Sequence, residues 1–175
     1  SGAYEESQVL VTYENGLQIY VNGSWSRDWD VQAGDQTFCL PPASFVALGT
    51  QGLIAYSADM GSGRIDYAAC DDYLYCDTRG NRMTIGAMTL SGAAILRHQN
   101  WEIDVYPVLC DGEIAVETGK LWPERRLPKL RVLAFKDEDD EPLTLSANMS
   151  GDQVMLEPPA DDIYKYRITL PEWMV

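Results

Sequence analysis

Short apolar runs of alternating pattern, cut every few residues by turn formers, fill almost the whole chain. Examples are Val9-Leu10-Val11-Thr12-Tyr13, Leu17-Gln18-Ile19-Tyr20-Val21 and Tyr164-Lys165-Tyr166-Arg167-Ile168-Thr169-Leu170. A period of two places successive side chains on opposite faces of a strand, whereas an amphipathic helix needs apolar residues three and four apart. The breaks carry hairpin chemistry. Asn15-Gly16, Asn22-Gly23, Gly34-Asp35, Gly80-Asn81 and Gly151-Asp152 supply residues that accept positive φ, and Pro41-Pro42 ends a strand. About a dozen short strands fit between such breaks. The pattern predicts an all-β fold, an antiparallel β-sandwich or jelly-roll-like arrangement with little or no helix. The one weak helix candidate, residues 160–166, is rich in β-branched and aromatic side chains and reads as strand. Folds of this kind leave activity to loops and exposed faces, so fold class alone points to no chemistry.

A chain of 175 residues with this apolar content suits a single domain over residues 1–175. A subdomain boundary fits best in the connector 119–129, where two prolines and a concentration of basic residues interrupt the strand pattern. No apolar run approaches the ~20 residues that span a bilayer. The first residue is Ser1, with no signal-like segment after it, as expected of a processed or trimmed chain.

The net charge of -14, from 27 acidic and 13 basic residues, opposes a phosphate backbone or an anionic membrane. Nucleic-acid binding and membrane insertion are therefore not expected, and a protein partner, if there is one, is expected to be basic. The blander account is that charge keeps a strand-rich protein with many edges soluble.

Cys39, Cys70, Cys76 and Cys110 form an even set with no Cys-x-x-Cys pair, which excludes zinc-ribbon and thioredoxin-like spacing. Two disulfides are the expectation, with three pairings open; buried thiols of an intracellular or capsid protein are the alternative. Asn22-Gly23-Ser24 and Asn148-Met149-Ser150 fit the N-glycosylation acceptor pattern, making Asn22 and Asn148 candidates. Together these features favour an extracellular, secreted or virion-surface location.

Catalytic signatures are sparse. His98 is the only histidine, which rules out a multi-histidine metal site and reads as a turn residue between two strands. No nucleophile elbow or phosphate-binding glycine loop is present. Paired carboxylates, as in glycosidases, remain open among Asp66, Asp71, Asp72, Asp77, Glu102 and Asp104, although nothing in their spacing singles out an acid. The acidic run Asp137-Glu138-Asp139-Asp140-Glu141 would attract a basic protein or a hard cation but lacks the order of an EF-hand loop; it reads as a solvated hairpin tip. No metal site and no cofactor are expected.

The best binding candidate lies in Asn22-Gly23-Ser24-Trp25-Ser26-Arg27-Asp28-Trp29-Asp30. Read as a strand, this segment puts Trp25, Arg27 and Trp29 on one face, the two rings about 13 Å apart. Trp and Arg dominate binding hot spots, and aromatic faces also stack on sugars. Tyr20 is the neighbouring aromatic; the alternative is that the Trp rings are buried in the core beside Tyr20 and Phe38. The segment loosely resembles the Trp-Ser-x-Trp-Ser box of cytokine receptors, but the second Trp comes one place late and lacks its trailing Ser, so nothing is transferred. Residues 17–59, through Ile19-Tyr20-Val21-Asn22-Gly23 and Phe45-Val46-Ala47-Leu48, resemble galactose-binding-like β-sandwich domains over about a quarter of the chain. That resemblance implies a carbohydrate ligand.

An internal echo is also present: Gly34-Asp35-Gln36 leads to Pro41-Pro42-Ala43 as Gly151-Asp152-Gln153 leads to Pro158-Pro159-Ala160. A duplicated strand-turn-strand unit would explain it, as would turn chemistry alone. The sequence thus points to a non-catalytic binding module for a protein or a glycan. A carbohydrate-active hydrolase and a capsid or oligomer subunit are the alternatives.

Overall fold

The fold comes from a computed structural model and is described over residues 6–110, 112–123, 130–137, 141–160 and 162–170. It is all-β and antiparallel, with eighteen strands and one helical turn among the described residues. The chain divides into two compact units, residues 1–76 and 77–175. The division falls within a strand, and the connector 119–129 belongs to the second unit.

Unit 1 holds β1 (Gln8–Thr12), β2 (Gln18–Asn22), β3 (Trp29–Ala33), β4 (Gln36–Leu40), β5 (Ser44–Leu48), β6 (Ile54–Asp59), β7 (Arg64–Ala69) and most of β8 (Tyr73–Asp77). Its sheet runs β1-β2-β5-β6-β7-β8, with the β3-β4 hairpin attached where Cys39 pairs with Asp59. The register lines up Leu10, Tyr20, Val46, Tyr56 and Tyr67 in one row across five strands. The β3-β4 hairpin contributes rings to this side: Trp29 lies 6.1 Å from Tyr20 and Phe38 5.2 Å from Tyr56, while Tyr56 stacks on Tyr67 at 5.0 Å. Phe38, Leu40, Val46 and Ile65 are fully buried and make the core. The neighbouring rows, Val9-Val21-Phe45-Ser57-Asp66 and Val11-Ile19-Ala47-Ala55-Ala68, point the other way, as strand alternation requires.

Unit 2 contains β9 (Met83–Ile85), β10 (Met88–Leu90), β11 (Gly92–Gln99), β12 (Glu102–Cys110), β13 (Ile114–Glu117), α1 (Thr118–Leu121), β14 (Arg131–Phe135), β15 (Leu143–Leu145), β16 (Asn148–Ser150), β17 (Gln153–Leu156) and β18 (Lys165–Thr169). One layer runs β11-β12-β18-β14-β15 and the other β16-β17-β13-β10-β9. The first layer's buried rows are Leu96-Val105-Tyr166-Ala134 and Ile103-Ile168-Val132. The second contributes Met88, Leu90, Ile114, Val116, Val154 and Leu156.

Three expectations change here. His98 belongs to β11, paired with Ile103, its ring edge-on to Trp122 at 6.0 Å; the turn is made by Asn100 and Trp101 instead. The four cysteines stand as thiols, with no disulfide among them. The echo is a likeness of turns only. Both copies are two-residue hairpin turns opening on a positive-φ glycine, Gly34 at 59° and Gly151 at 62°. After the turn, however, the first copy buries Phe38 and Leu40, and the second buries Val154 and Leu156, one place earlier. A one-residue shift flips every side chain to the other face, so the two strands do not play equivalent parts.

Candidate functional site

The Trp25 segment is a loop. Residues 23–28 carry no strand structure; they connect β2 to β3. Trp25, Arg27 and Trp29 therefore share no strand face, which corrects the alternating geometry expected of them. What shapes the backbone here is side-chain competition for local hydrogen bonds. Asn22, the last residue of β2, is fully buried, and its Nδ2 donates to the carbonyls of Arg27 (2.8 Å), Leu40 (2.7 Å) and Pro41 (3.1 Å). Its Oδ1 accepts from the Ser24 amide at 3.2 Å. Ser24 Oγ then accepts from the amides of Ser26 (3.3 Å) and Arg27 (3.0 Å). Arg27 pairs with Glu6, and the Gly23 amide donates to the Ser7 carbonyl at 2.9 Å, tying the loop to the residues that lead into β1.

The product of this bracing is an indole held out in solvent: Trp25 is 96% exposed. It borders an open hollow of about 450 Å³ lined by Glu6, Ser7, Ser24, Trp25, Ser26 and Arg27. Trp29, by contrast, is half-buried against Tyr20 at a ring angle of 53°. Of the four aromatic and basic candidates, Trp25 and Arg27 share the loop, while Trp29 and Tyr20 pack together in the sheet.

The same atoms correct the expectation for Asn22. A glycan would attach through Nδ2, the nitrogen committed to three carbonyls in the core, so this acceptor is closed by the fold. Asn148 opens β16 and is exposed.

Four of the six candidate carboxylates fall into local pairings, while Asp71 and Asp72 lie exposed in the turn between β7 and β8. Asp66 accepts from Ser57, and Asp77 accepts from the Arg79 amide at 2.7 Å. Buried Asp104 takes two hydrogen bonds from Arg167, from Nε at 2.6 Å and from Nη2 at 2.9 Å, with Lys165 Nζ at 3.7 Å. The same guanidinium reaches Glu102 at 3.0 Å. One arginine thus clamps both acids, and its own pKa is raised by the hydrogen bond and charge of Asp104. Lys120 beside Glu117 and Lys136 beside Asp162 hold these two carboxyls below their ordinary range. A general acid needs the opposite displacement. Burial, followed by the hydrogen bond with Asp30, pushes the Cys39 thiol up, away from the reactive thiolate.

Of the acidic run, Asp137 and Glu141 are exposed, and Glu138, Asp139 and Asp140 lie outside the described residues. No group of three or more His, Cys, Asp or Glu among the described residues is arranged to hold a metal ion.

Sequence reasoning missed one surface. On the outer side of the unit 1 sheet, Val9, Val11, Val21 and Phe45 are all exposed and adjoin in register, with Ile19 and Ala47 half-buried between them. The alternation was visible, but Leu10 between Val9 and Val11 is also apolar, which reads as a strand buried on both faces. No family model, curated protein or solved structure matches this chain.

Proposed function

We propose that this chain is a non-catalytic binding module that docks a protein partner through the Trp25 loop. One observation carries the reading: an indole at 96% exposure on a loop braced from within by Asn22 and Ser24. An exposed Trp costs solubility and adds nothing to the core, and a braced loop loses little entropy when it binds. Trp25 and Arg27 line the same hollow, and Trp and Arg are among the side chains most enriched at hot spots. A sugar platform built on two rings is less well supported, because Trp29 is turned into the sheet against Tyr20. The net charge of -14 favours a basic partner. An extracellular or virion-surface setting now leans on Asn148 alone, since Asn22 is closed and no disulfide joins the cysteines.

The test is to probe arrays of basic proteins and of glycans with the full chain and with Trp25→Ala. A basic protein retained by the wild type and lost by Trp25→Ala supports the reading. A Trp25-dependent glycan replaces the protein partner with a sugar, and ligands indifferent to Trp25 remove the loop from the account.

A further inference from the structure

We infer that β1 is a docking edge for an extended strand of a partner protein, apolar in its middle and basic at its ends. This deepens the Trp25 reading and rests on it for the existence of a protein partner. Among the described residues β1 pairs with β2 alone and ends the sheet of unit 1. Exposed edges in soluble proteins are blunted by charges, proline or bulges. The stretch Gln8-Val9-Leu10-Val11-Thr12-Tyr13 contains none of these: it has no charged residue and no proline, and its register with β2 is unbroken over five pairs.

The exposure is apolar on both faces. Val9 is 45% and Val11 38% exposed on the outer side, Leu10 is 49% exposed on the inner side, and Tyr13 just beyond is 50% exposed. A strand added to this edge gains main-chain hydrogen bonds and, on the outer side, continues the apolar rows Val9-Val21-Phe45 and Val11-Ile19-Ala47.

Charge decides between occupants. A second copy pairing antiparallel about a twofold axis at Leu10 would set Gln8 against Thr12 and Glu14 against the Arg27-paired Glu6 at both ends, and would bring together two chains of net charge -14. Like charges placed directly opposite are destabilising, and a twofold interface repeats the fault. The edge is instead matched by a strand with an uncharged middle of about five residues, the length of β1, flanked by Lys or Arg. Because Glu6 already holds Arg27, exposed Glu14 is the stronger of the two anchors.

The experiment is fluorescence anisotropy of a labelled peptide, Lys-Lys-Val-Thr-Val-Thr-Val-Lys-Lys, titrated with the full chain. Expected are saturable binding, a loss of about tenfold or more when the lysines become glutamates, and a similar loss with the double variant Val9→Lys, Val11→Lys. Leu109→Lys, in unit 2, adds charge at another exposed site and is expected to leave binding unchanged, and circular dichroism of each variant checks that the fold persists. N-methylation of alternate peptide residues blocks one edge of the added strand. One of the two alternate sets should abolish binding and the other should spare it.

Equal binding by both N-methylated sets, or no saturable binding, overturns the inference. So does a concentration-dependent dimer in sedimentation that Val9→Lys, Val11→Lys abolishes, since the edge would then belong to a second copy. If the peptide fails while a Trp25-dependent protein ligand persists, the edge proposal alone falls. If the peptide binds and no Trp25-dependent ligand exists, the Trp25 reading alone falls.

Discussion

Asn22 and Trp25 have opposite roles in the same loop, and their variants should separate accordingly. Replacing Asn22 by Ala removes a buried donor that three carbonyls share. Unsatisfied buried groups of this kind make the expected loss about 3 kcal/mol of stability, read as a fall in the urea midpoint. Trp25→Ala removes a side chain that contacts little, so its stability should stay within about 0.5 kcal/mol of wild type. Tyr56 ties stability to pH. Burial raises its phenol from 10.0 to about 12. Below the lower value both the folded and the unfolded chain hold the proton and the contribution is complete. Between the two the unfolded chain releases its proton while the folded one retains it, so stability falls as pH rises. The expected loss is on the order of 2 kcal/mol across that window, and Tyr56→Phe should flatten the corresponding fall in denaturation midpoint. The sequence named Trp25 but left its exposure open, because an indole in an alternating segment fits a core as well as a surface. Asn22 fits the glycan-acceptor pattern, although its neighbours Gly23 and Ser24 mark a turn that such a side chain can close.

Some turns were legible from local chemistry and others were not. Asn22-Gly23 makes no tight hairpin, because Asn22 ends β2 and Gly23 opens a loop, and of the described residues in 160–166 only Lys165 and Tyr166 are strand. Gly34-Asp35 and Gly151-Asp152 do make two-residue hairpins, since positive φ is a requirement that few residues meet. Residues 23–28 misled because Trp, Arg and Trp alternate as a strand would, while the hydrogen bonds to Asn22 and Ser24 that override strand structure depend on side-chain geometry. β1 was legible as a strand but not as an edge: strand order is set by pairings distant in sequence, and an apolar edge looks like a central strand. Gly92 shows how tightly one pairing can be specified. It sits at φ 99° where β11 meets the end of β12, beside the irregularity at Ala93/Ala94, and a Cβ there would fall 1.7 Å from the Leu109 carbonyl oxygen. Gly92→Ala is expected to cost about 3 kcal/mol or more, seen as a lowered thermal midpoint or loss of soluble protein.

For the molecule as a whole, fold class was readable from the residue pattern and occupant was not. Alternation and turn spacing are properties of the entire chain and led to an all-β antiparallel fold, whereas the division at 76/77 leaves no mark in composition. The even count of cysteines suggested bridges, yet whether two sulfurs meet depends on the finished fold. Thiol titration of the unfolded chain without reductant should find four thiols; two or none would show that disulfides form after all. The charge of -14 sets a further expectation, that affinity for a basic partner falls as salt rises, because screening weakens attraction between exposed groups. The most direct measurement is a pair of binding titrations, wild type and Trp25→Ala, against the basic protein that the array identifies, each at low and at moderate salt. Trp25→Ala is expected to weaken binding by about tenfold or more at both salts, and the wild type to bind less tightly as salt is added. Equal affinities for the two chains would contradict it, placing the contact somewhere other than the Trp25 loop.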